Sequence, residues 1–404
     1  MYEHPEARFI VETLAQQGFI AYYAGGWVRD FLLQRDSDDI DIATNAPPET
    51  IQKLFPHTVP IGLAFGIILV IVKGHQYEVA TFRQDLDYQD GRRPSGVAFS
   101  TAEEDAKRRD FTINGMFYDP LKGKVLDFVG GKADLQAQVI RAIGDPHERI
   151  REDRLRMIRA VRLSCRFGFA IDPATEKAIL AHASELFPAV AIERICQELN
   201  KGLVFHTLRP MLEKLHAFDL LPTIFPDLQG VAQKTIEERV SHLDHFPKKA
   251  PLIAHLLELF PNFTLQEALK LGEYLKQSRS DLQFVAFLFH TKEKLAQPQT
   301  ELVDWAHIYA NPLFPLCLPI LASRLDKQSK EKFLHDHQKR ADKLRPAIER
   351  IQTHSPLVTS QDLLELGISP GPQMGKYLKL AEKISINEGI QDKKIILTKI
   401  KVEI

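Results

Sequence analysis

The hydrophobic period of the chain changes near residue 140, and that change limits the folds open to it. From about residue 18 to 130, short β-rich runs are separated by glycines and charged turns: Phe19–Tyr23, Ile40–Ala43, Ile67–Val72, Tyr77–Phe82 and Lys124–Phe128. Helical patterns lie between them at Trp27–Leu33, Pro48–Leu54 and Ala102–Arg108, the last preceded by Thr101 with Glu104 in capping-box spacing. Beyond residue 140 the apolar residues recur at helical spacing. They do so in Asp153–Phe167, Pro173–Ala183, Ile192–Leu203, Arg209–Leu215, Leu252–Leu259, Thr264–Leu275 and Lys330–Arg350. The pattern predicts a multidomain chain, an α/β head with a mixed sheet followed by an all-α remainder.

The 404 residues allow two to four domains, and 44% hydrophobic with 26% charged residues excludes wholesale disorder. Net charge is −1, so a nucleic-acid contact needs a local basic patch. Cys165, Cys196 and Cys317 are odd in number and far apart, which argues against a disulfide framework or a cysteine zinc site. The first residues are charged and lack a signal-peptide core. The longest apolar stretch, Val59–Val72, contains Pro60, Gly62 and Gly66 and falls short of the ~20 residues of a membrane span. The expected location is the cytoplasm. Walker, GxGxxG and HExxH motifs are absent. His335-Asp336-His337 reads as a solvated helix face and not as a metal site, since no further ligands are spaced around it.

Four clusters carry chemistry. Ala24-Gly25-Gly26-Trp27-Val28-Arg29-Asp30 follows a strand; glycines there admit a phosphate, a helix start offers N–H groups and Arg29 a cationic fork, although plain strand–helix turns look the same. In Asp38-Asp39-Ile40-Asp41-Ile42-Ala43 the alternation of a strand puts Asp39 and Asp41 on one side, where their repulsion asks for a hard cation such as Mg²⁺. Asp105-Ala-Lys107-Arg108-Arg109-Asp110-Phe111-Thr112-Ile113-Asn114-Gly115 delivers Arg109, Asp110 and Asn114 to a turn, or merely complements a helix dipole. In Arg151–Arg162, Asp153, Arg156, Arg159 and Arg162 recur every three residues along a helix. With Arg166 they exceed what Glu152 and Asp153 can neutralise.

Together GGxVRD, the DxD pair, RRDFTIN and EDxxR resemble the class II nucleotidyltransferases of the DNA polymerase β superfamily, which include tRNA CCA-adding enzymes and bacterial poly(A) polymerases. The resemblance is close over residues 20–205 and continues weakly at Asp362–Gly375. It implies a head at 1–140, a nucleotide-selecting neck at 141–200, a body at 201–330 and a tRNA-binding tail at 331–404. It implies that Asp39 and Asp41 hold two Mg²⁺ ions, with Glu78 as a third catalytic carboxylate. Gly25, Gly26 and Arg29 would bind the triphosphate, Arg109, Asp110 and Asn114 would position the nucleotide, and Arg159 and Arg162 would line its site beside Asp153 and Arg156.

Elementary hydrogen-bonding supports a further role for Asp153 and Arg156. A carboxylate accepts and a guanidinium donates. Cytosine and adenine each present an amino donor beside a ring-nitrogen acceptor, whereas guanine and uracil present the reverse. Such a pair would accept CTP and ATP without a nucleic-acid template. The run Gly62-Leu-Ala-Phe-Gly-Ile-Ile-Leu-Val70 is similar to CCA-adding enzymes, and the segment Asp87–Val97 resembles their loop for terminal A addition. The expected activity is CCA addition to the 3′ end of tRNA, ahead of an A-adding-only enzyme, a poly(A) polymerase and a non-catalytic tRNA-binding protein. A basic track for the tRNA acceptor stem and minihelix would draw on Lys248-Lys249, Lys339-Arg340, Lys343 with Arg345, and Lys393-Lys394.

Overall fold

The computed structural model describes residues 4–85 and 97–403, so nearly all of the Asp87–Val97 segment lies outside the described residues. Two compact units divide the chain, Met1–Glu237 and Glu238–Ile404.

The first unit opens with helix α1 (Pro5–Gln16), which starts on a proline and buries Ala7, Ile10, Val11 and Leu14 along one stripe. The strands that follow are β1 (Ala21–Ala24), β2 (Asp41–Thr44), β3 (Thr58–Gly62), β4 (Ile67–Val72), β5 (His75–Thr81), β6 (Arg83–Asp85), β7 (Val97–Phe99), β8 (Phe117–Asp119) and β9 (Lys124–Leu126). Seven form one mixed sheet in the order β3-β4-β5-β2-β1-β8-β9, and β6 pairs with β7 apart from it. The β2–β5 pairing is parallel and the others in the large sheet are antiparallel. Strand β2 starts at Asp41, so Asp39 stands in the segment leading into it, where the Ile40 amide donates to the Asp38 carbonyl, and not inside a strand as expected. The alternation still operates, because Ile40 and Ile42 are buried while Asp39 and Asp41 are exposed.

Small and large residues alternate where the sheet carries the site. Ala24 on β1 and Ala43 on β2 leave room for Phe82 and Phe117, whose rings meet edge to face at 5.8 Å. Both rings are almost wholly buried; truncating either to alanine would cost about 3–5 kcal/mol. Helix α2 (Gly26–Leu32) leaves β1, α3 (Pro48–Leu54) leaves β2, and α4 (Ala102–Lys107) begins where the Thr101 hydroxyl accepts from the Glu104 amide. Gly115 follows a tight turn at Thr112–Asn114; a Cβ there would lie 2.7 Å from Val129 Cγ2 and 3.0 Å from Ile143 Cδ1, so a larger residue requires those side chains to shift.

Helices α5 (Gly131–Ala137), α6 (Pro146–Glu152), α7 (Leu155–Phe167), α8 (Pro173–His182), α9 (Ile192–Val204), α10 (Leu208–Ala217) and α11 (Leu220–Ile224) complete this part of the unit. α6 and α8 start on Asp-Pro pairs, Asp145-Pro146 and Asp172-Pro173, whose carboxylates accept two backbone amides each. Asp153 is not on the helix with Arg156. It sits in extended conformation between α6 and α7, so the ribbon on the helix is Arg156, Arg159 and Arg162.

The second unit is helical throughout its described residues. One core gathers Trp305, Tyr309, Phe314, Leu344 and Ile386, and another Val358, Leu363, Met374, Ile396 and Ile400. The long helix Lys327–Gln352 carries the His335-Asp336-His337 cluster, and here the expectation of a solvated face fails for its last member. His337 lies two turns before buried Leu344 and shares its face. It is 4% exposed, meets the Tyr309 hydroxyl at 2.9 Å, and its pKa is lowered to about 4 by burial and by Arg340. His335 and Asp336 are exposed. No helix is long and apolar enough to cross a membrane among the described residues.

Candidate active site

A cavity of about 800 Å³ opens in the first unit between the sheet, α4 and the parallel pair α7 and α9. Its lining contains ten arginine and lysine side chains against five carboxylates, so it is the local basic patch that a chain of net charge −1 needs for an anionic substrate.

One wall is the end of the β1–β2 pair, inside the sheet, where β1 finishes and β2 begins. The antiparallel register sets Ala24 opposite Asp41, which brings Gly25 onto the carboxylate. Gly25 has φ of 67°, and a Cβ on it would sit 3.1 Å from Arg109 Nη1 and 3.6 Å from Asp41 Oδ2. The double glycine therefore lets a cation and an anion close on the backbone together. The Gly25 amide donates to the Met116 carbonyl and is not a free donor for phosphate. The parallel pairing of Ile42 with Val79 places Glu78 beside Asp41. Asp41 still reaches solvent, yet the surrounding protein strips part of its hydration; its carboxyl is raised to about 6, first by that desolvation, then because Asp39 and Glu78 repel its charge, with Arg109 opposing. An oxygen-only donor set that destabilises its own charge fits a hard divalent cation. Among the described residues no group of three or more His, Cys, Asp or Glu side chains is assembled closely enough to hold a metal by itself.

Behind this wall a network fixes the arginines. Buried Arg29 donates to Asp30 at 2.9 Å and to Asn114 Oδ1 at 2.5 Å. Asn114 in turn donates to Asp110 Oδ1 at 3.0 Å, and Arg159 closes on Asp110 Oδ2 at 2.5 and 2.8 Å. Asp110 is held far below the usual carboxylate range, its burial outweighed by Arg159, Asn114 and Arg156. Arg109 is gripped through Asp105, a 1% exposed carboxylate that also binds Arg108, and it lies 4.9 Å over the Phe117 ring.

The opposite wall is α7 with α9. Asp153 is held bidentately by Arg194 at 2.8 and 3.2 Å. Arg156 bonds Glu152 at 2.6 Å and the carbonyls of Arg149 and Arg108. Asp153 and Arg156 thus both face the cavity, each held by a different partner and not by one another. Arg162 is bound by Glu198 at 2.5 Å, and Arg159 reaches the same carboxylate at 3.7 Å.

The cavity brings together Gly25, Gly26, Arg29, Asp39, Asp41, Glu78, Arg109, Asp110, Asn114, Asp153, Arg156, Arg159 and Arg162. Sequence reasoning missed Asp30, Asp105, Arg194 and Glu198, which position these groups. The imbalance counted on α7 was the available signal: its partners, Asp110, Asp30 and Glu198, come from 36 to 136 residues away.

The Poly A polymerase head domain model matches residues 21–141, and the model described as the probable RNA and SrmB-binding site of polymerase A matches residues 168–230. A CCA-adding enzyme of Lactococcus lactis subsp. cremoris is 33% identical over 406 residues, covering 99% of this chain and 96% of that one. One from Anoxybacillus flavithermus is 42% identical over 233 residues, 57% of either chain. The crystal structure of the Bacillus stearothermophilus CCA-adding enzyme in complex with CTP superposes with a TM-score of 0.78 at 26% identity, over 100% of this chain and 99% of the other. The Thermotoga maritima CCA-adding enzyme complexed with tRNA shares the fold, with a TM-score of 0.65 at 21% identity.

Proposed function

The chain belongs to the CCA-adding enzyme family, and we propose that its cavity builds C, C and A onto a tRNA 3′ end by selecting CTP and ATP with the protein alone. It is a tRNA nucleotidyltransferase, of a superfamily that uses divalent metals. The observation that carries the selection reading is the placement of Asp153 and Arg156 on one wall and Asp39 and Asp41 on the other of a single cavity.

Each residue has a task. Asp39 and Asp41, with Glu78 beside them, would hold divalent ions, Mg²⁺ in our reading. When bound, these ions supply positive charge to the attacking and leaving oxygens. Gly25 and Gly26 leave the backbone open at the reacting end, and Arg29, Arg109 and Arg159 present guanidiniums fixed in advance by Asp30, Asp105 and Asp110. Fixed donors need no reorganisation as charge develops on phosphate, which is where such sites gain most of their rate. At the other end Asp153 accepts from an exocyclic amine and Arg156 donates to the neighbouring ring nitrogen. A guanine or uracil there would face donor with donor and acceptor with acceptor, a mismatch of the kind that discriminates by about 10⁴.

We assign residues 1–140 as head, 141–200 as neck, 201–330 as body and 331–404 as tail, with the tRNA acceptor stem reaching body and tail. Exposed Lys248, Lys249, Lys339, Lys343 and Lys394 support that track. Three members of the expected set are engaged within the protein: Arg340 lies over Trp305, Arg345 pairs with Asp342 and Lys393 with Asp362. We place the protein in the cytoplasm, in keeping with its three unpaired cysteines.

The test is single-nucleotide incorporation. On tRNA ending at the discriminator base, CTP alone should add two residues and ATP none; on tRNA ending in CC, ATP should add one. Incorporation of GTP or UTP at comparable rates would remove the protein-template reading. Long A tails would make the enzyme a poly(A) polymerase, and A on tRNA-CC without C addition would make it A-adding only.

A further inference from the structure

The arginines along α7 are unequally matched by carboxylates. Arg159 has Asp110 and Glu198, and Arg162 has Glu198. At the last turn the balance reverses. Arg166 and Arg29 share one carboxylate, Asp30, with Arg166 Nη2 at 3.2 Å from Oδ2 and Arg29 Nε at 2.9 Å from Oδ1. The buried Nε of Arg166 has no hydrogen-bond partner among the described residues.

Aromatic rings hold the Arg166 guanidinium in place. It lies 3.8 Å from the Phe205 ring centroid and 4.9 Å from that of Phe167, and Arg29 covers Phe167 at 4.5 Å. Stacking of this kind orients a guanidinium without neutralising it. Burial lowers the pKa of Arg166, and that of Arg29 to about 10, Asp30 opposing both shifts. Arg166, Arg29, Lys201 and Phe205 all line the cavity, at its end away from Asp153. Ten residues of helix separate Arg156 from Arg166, a rise of about 15 Å, which is the scale of a nucleoside triphosphate extended from base to terminal phosphate.

We propose that Arg166, clamped between Phe167 and Phe205 and sharing Asp30 with Arg29, binds the terminal phosphates of the incoming nucleotide and the pyrophosphate that leaves. This rests on the nucleotidyl-transfer reading above. In the transfer, the tRNA 3′ oxygen forms a bond to the α-phosphorus and gives its proton to water. The bond from that phosphorus to the bridging oxygen breaks, and pyrophosphate departs with the electron pair. A guanidinium forked onto those oxygens meets charge that grows as the bond breaks, so its contribution rises toward the transition state.

The test compares the full-length parent with Arg166→Gln and Arg166→Lys, reading inhibition by inorganic pyrophosphate, KM for CTP, KM for tRNA and the CTP-to-UTP ratio. Arg166→Gln should raise the pyrophosphate inhibition constant and the CTP KM together by about tenfold, as loss of a charge-assisted bond requires. The tRNA KM and base ratio should stay at parental values. Arg166→Lys keeps a charge against Asp30 and should recover part of the loss; it also serves if the glutamine variant does not fold. Calorimetric titration of each protein with inorganic pyrophosphate should give the same order. Unchanged pyrophosphate affinity in both variants, or a rise confined to the tRNA KM, would overturn the proposal. A parent that adds no CCA would instead fail the underlying reading, whatever the variants do.

Discussion

Replacing Asp110 with Asn tests the network that joins the sheet to α7. The carboxylate is 9% exposed and accepts from Arg159, Asn114 and the Phe111 amide. The amide keeps one acceptor oxygen for Phe111 and Asn114 but turns N–H groups toward the guanidinium, donor against donor. Breaking a buried ion pair costs about 3–5 kcal/mol. The Arg159 side chain is 31% exposed and retains Glu198 at 3.7 Å, which reduces the expected loss to about 2 kcal/mol. For a unit of this size that corresponds to about 4–8 °C in its melting transition by calorimetry. The sign with pH follows from the depressed carboxyl of Asp110. Its stabilisation is complete above the ordinary carboxylate pKa of about 4 and is lost as pH falls from there through the lower folded value. The gap between parent and Asp110→Asn should therefore be constant from pH 5 to 8, within about that range of ordinary carboxylate ionisation, and should shrink below about pH 4. A gap that widens on acidification, or a variant as stable as the parent at pH 7, would refute the argument.

Asp39→Ala or Asp41→Ala should abolish transfer and leave the fold intact, with an unchanged or raised melting temperature from relieved repulsion; residual activity within about tenfold of the parent would remove them as metal ligands. Gly25→Ala should lower kcat by about tenfold or more, since a Cβ at φ of 67° falls 3.1 Å from Arg109; parental kcat would mean that close approach is unimportant. Shortening the segment Asp87–Val97 should leave CC addition largely intact and block the final A in a gel assay of product length, and loss of CC addition would count against that role for the segment. Affinity for tRNA should fall steeply between about 50 and 200 mM salt, and a flat response would remove the basic track.

The sequence displayed the residues that touch substrate better than those that hold them. The glycine pair and the alternating Asp39 and Asp41 are local patterns, readable because backbone geometry alone gives them meaning. Glu198 was not readable: on α9 it occupies a position that looks like an ordinary helix-face acid, and its partners Arg159 and Arg162 lie 36 to 39 residues earlier. Strand β8 escaped notice because three residues, Phe117–Asp119, are too few to show a period, yet it pairs with β1 and carries the edge strand β9. Asp153 kept helical spacing with Arg156 while standing outside the helix, since a three-residue interval is also satisfied by the turn between α6 and α7. His337 was misread for a related reason: a charged neighbourhood suggested solvent, but helical phase points one residue of the cluster inward at Tyr309.

Base choice by protein side chains is tested most directly by the ratio of kcat/KM for CTP over UTP in Asp153→Ala against the parent. Removing the carboxylate deletes the acceptor for the exocyclic amine and leaves Asp39, Asp41 and the arginines of the opposite wall in place. The expected result is a fall in that ratio by about 100-fold or more, with UTP incorporation rising relative to CTP. A uniform loss of rate at parental selectivity would contradict the account and reassign Asp153 to holding Arg194.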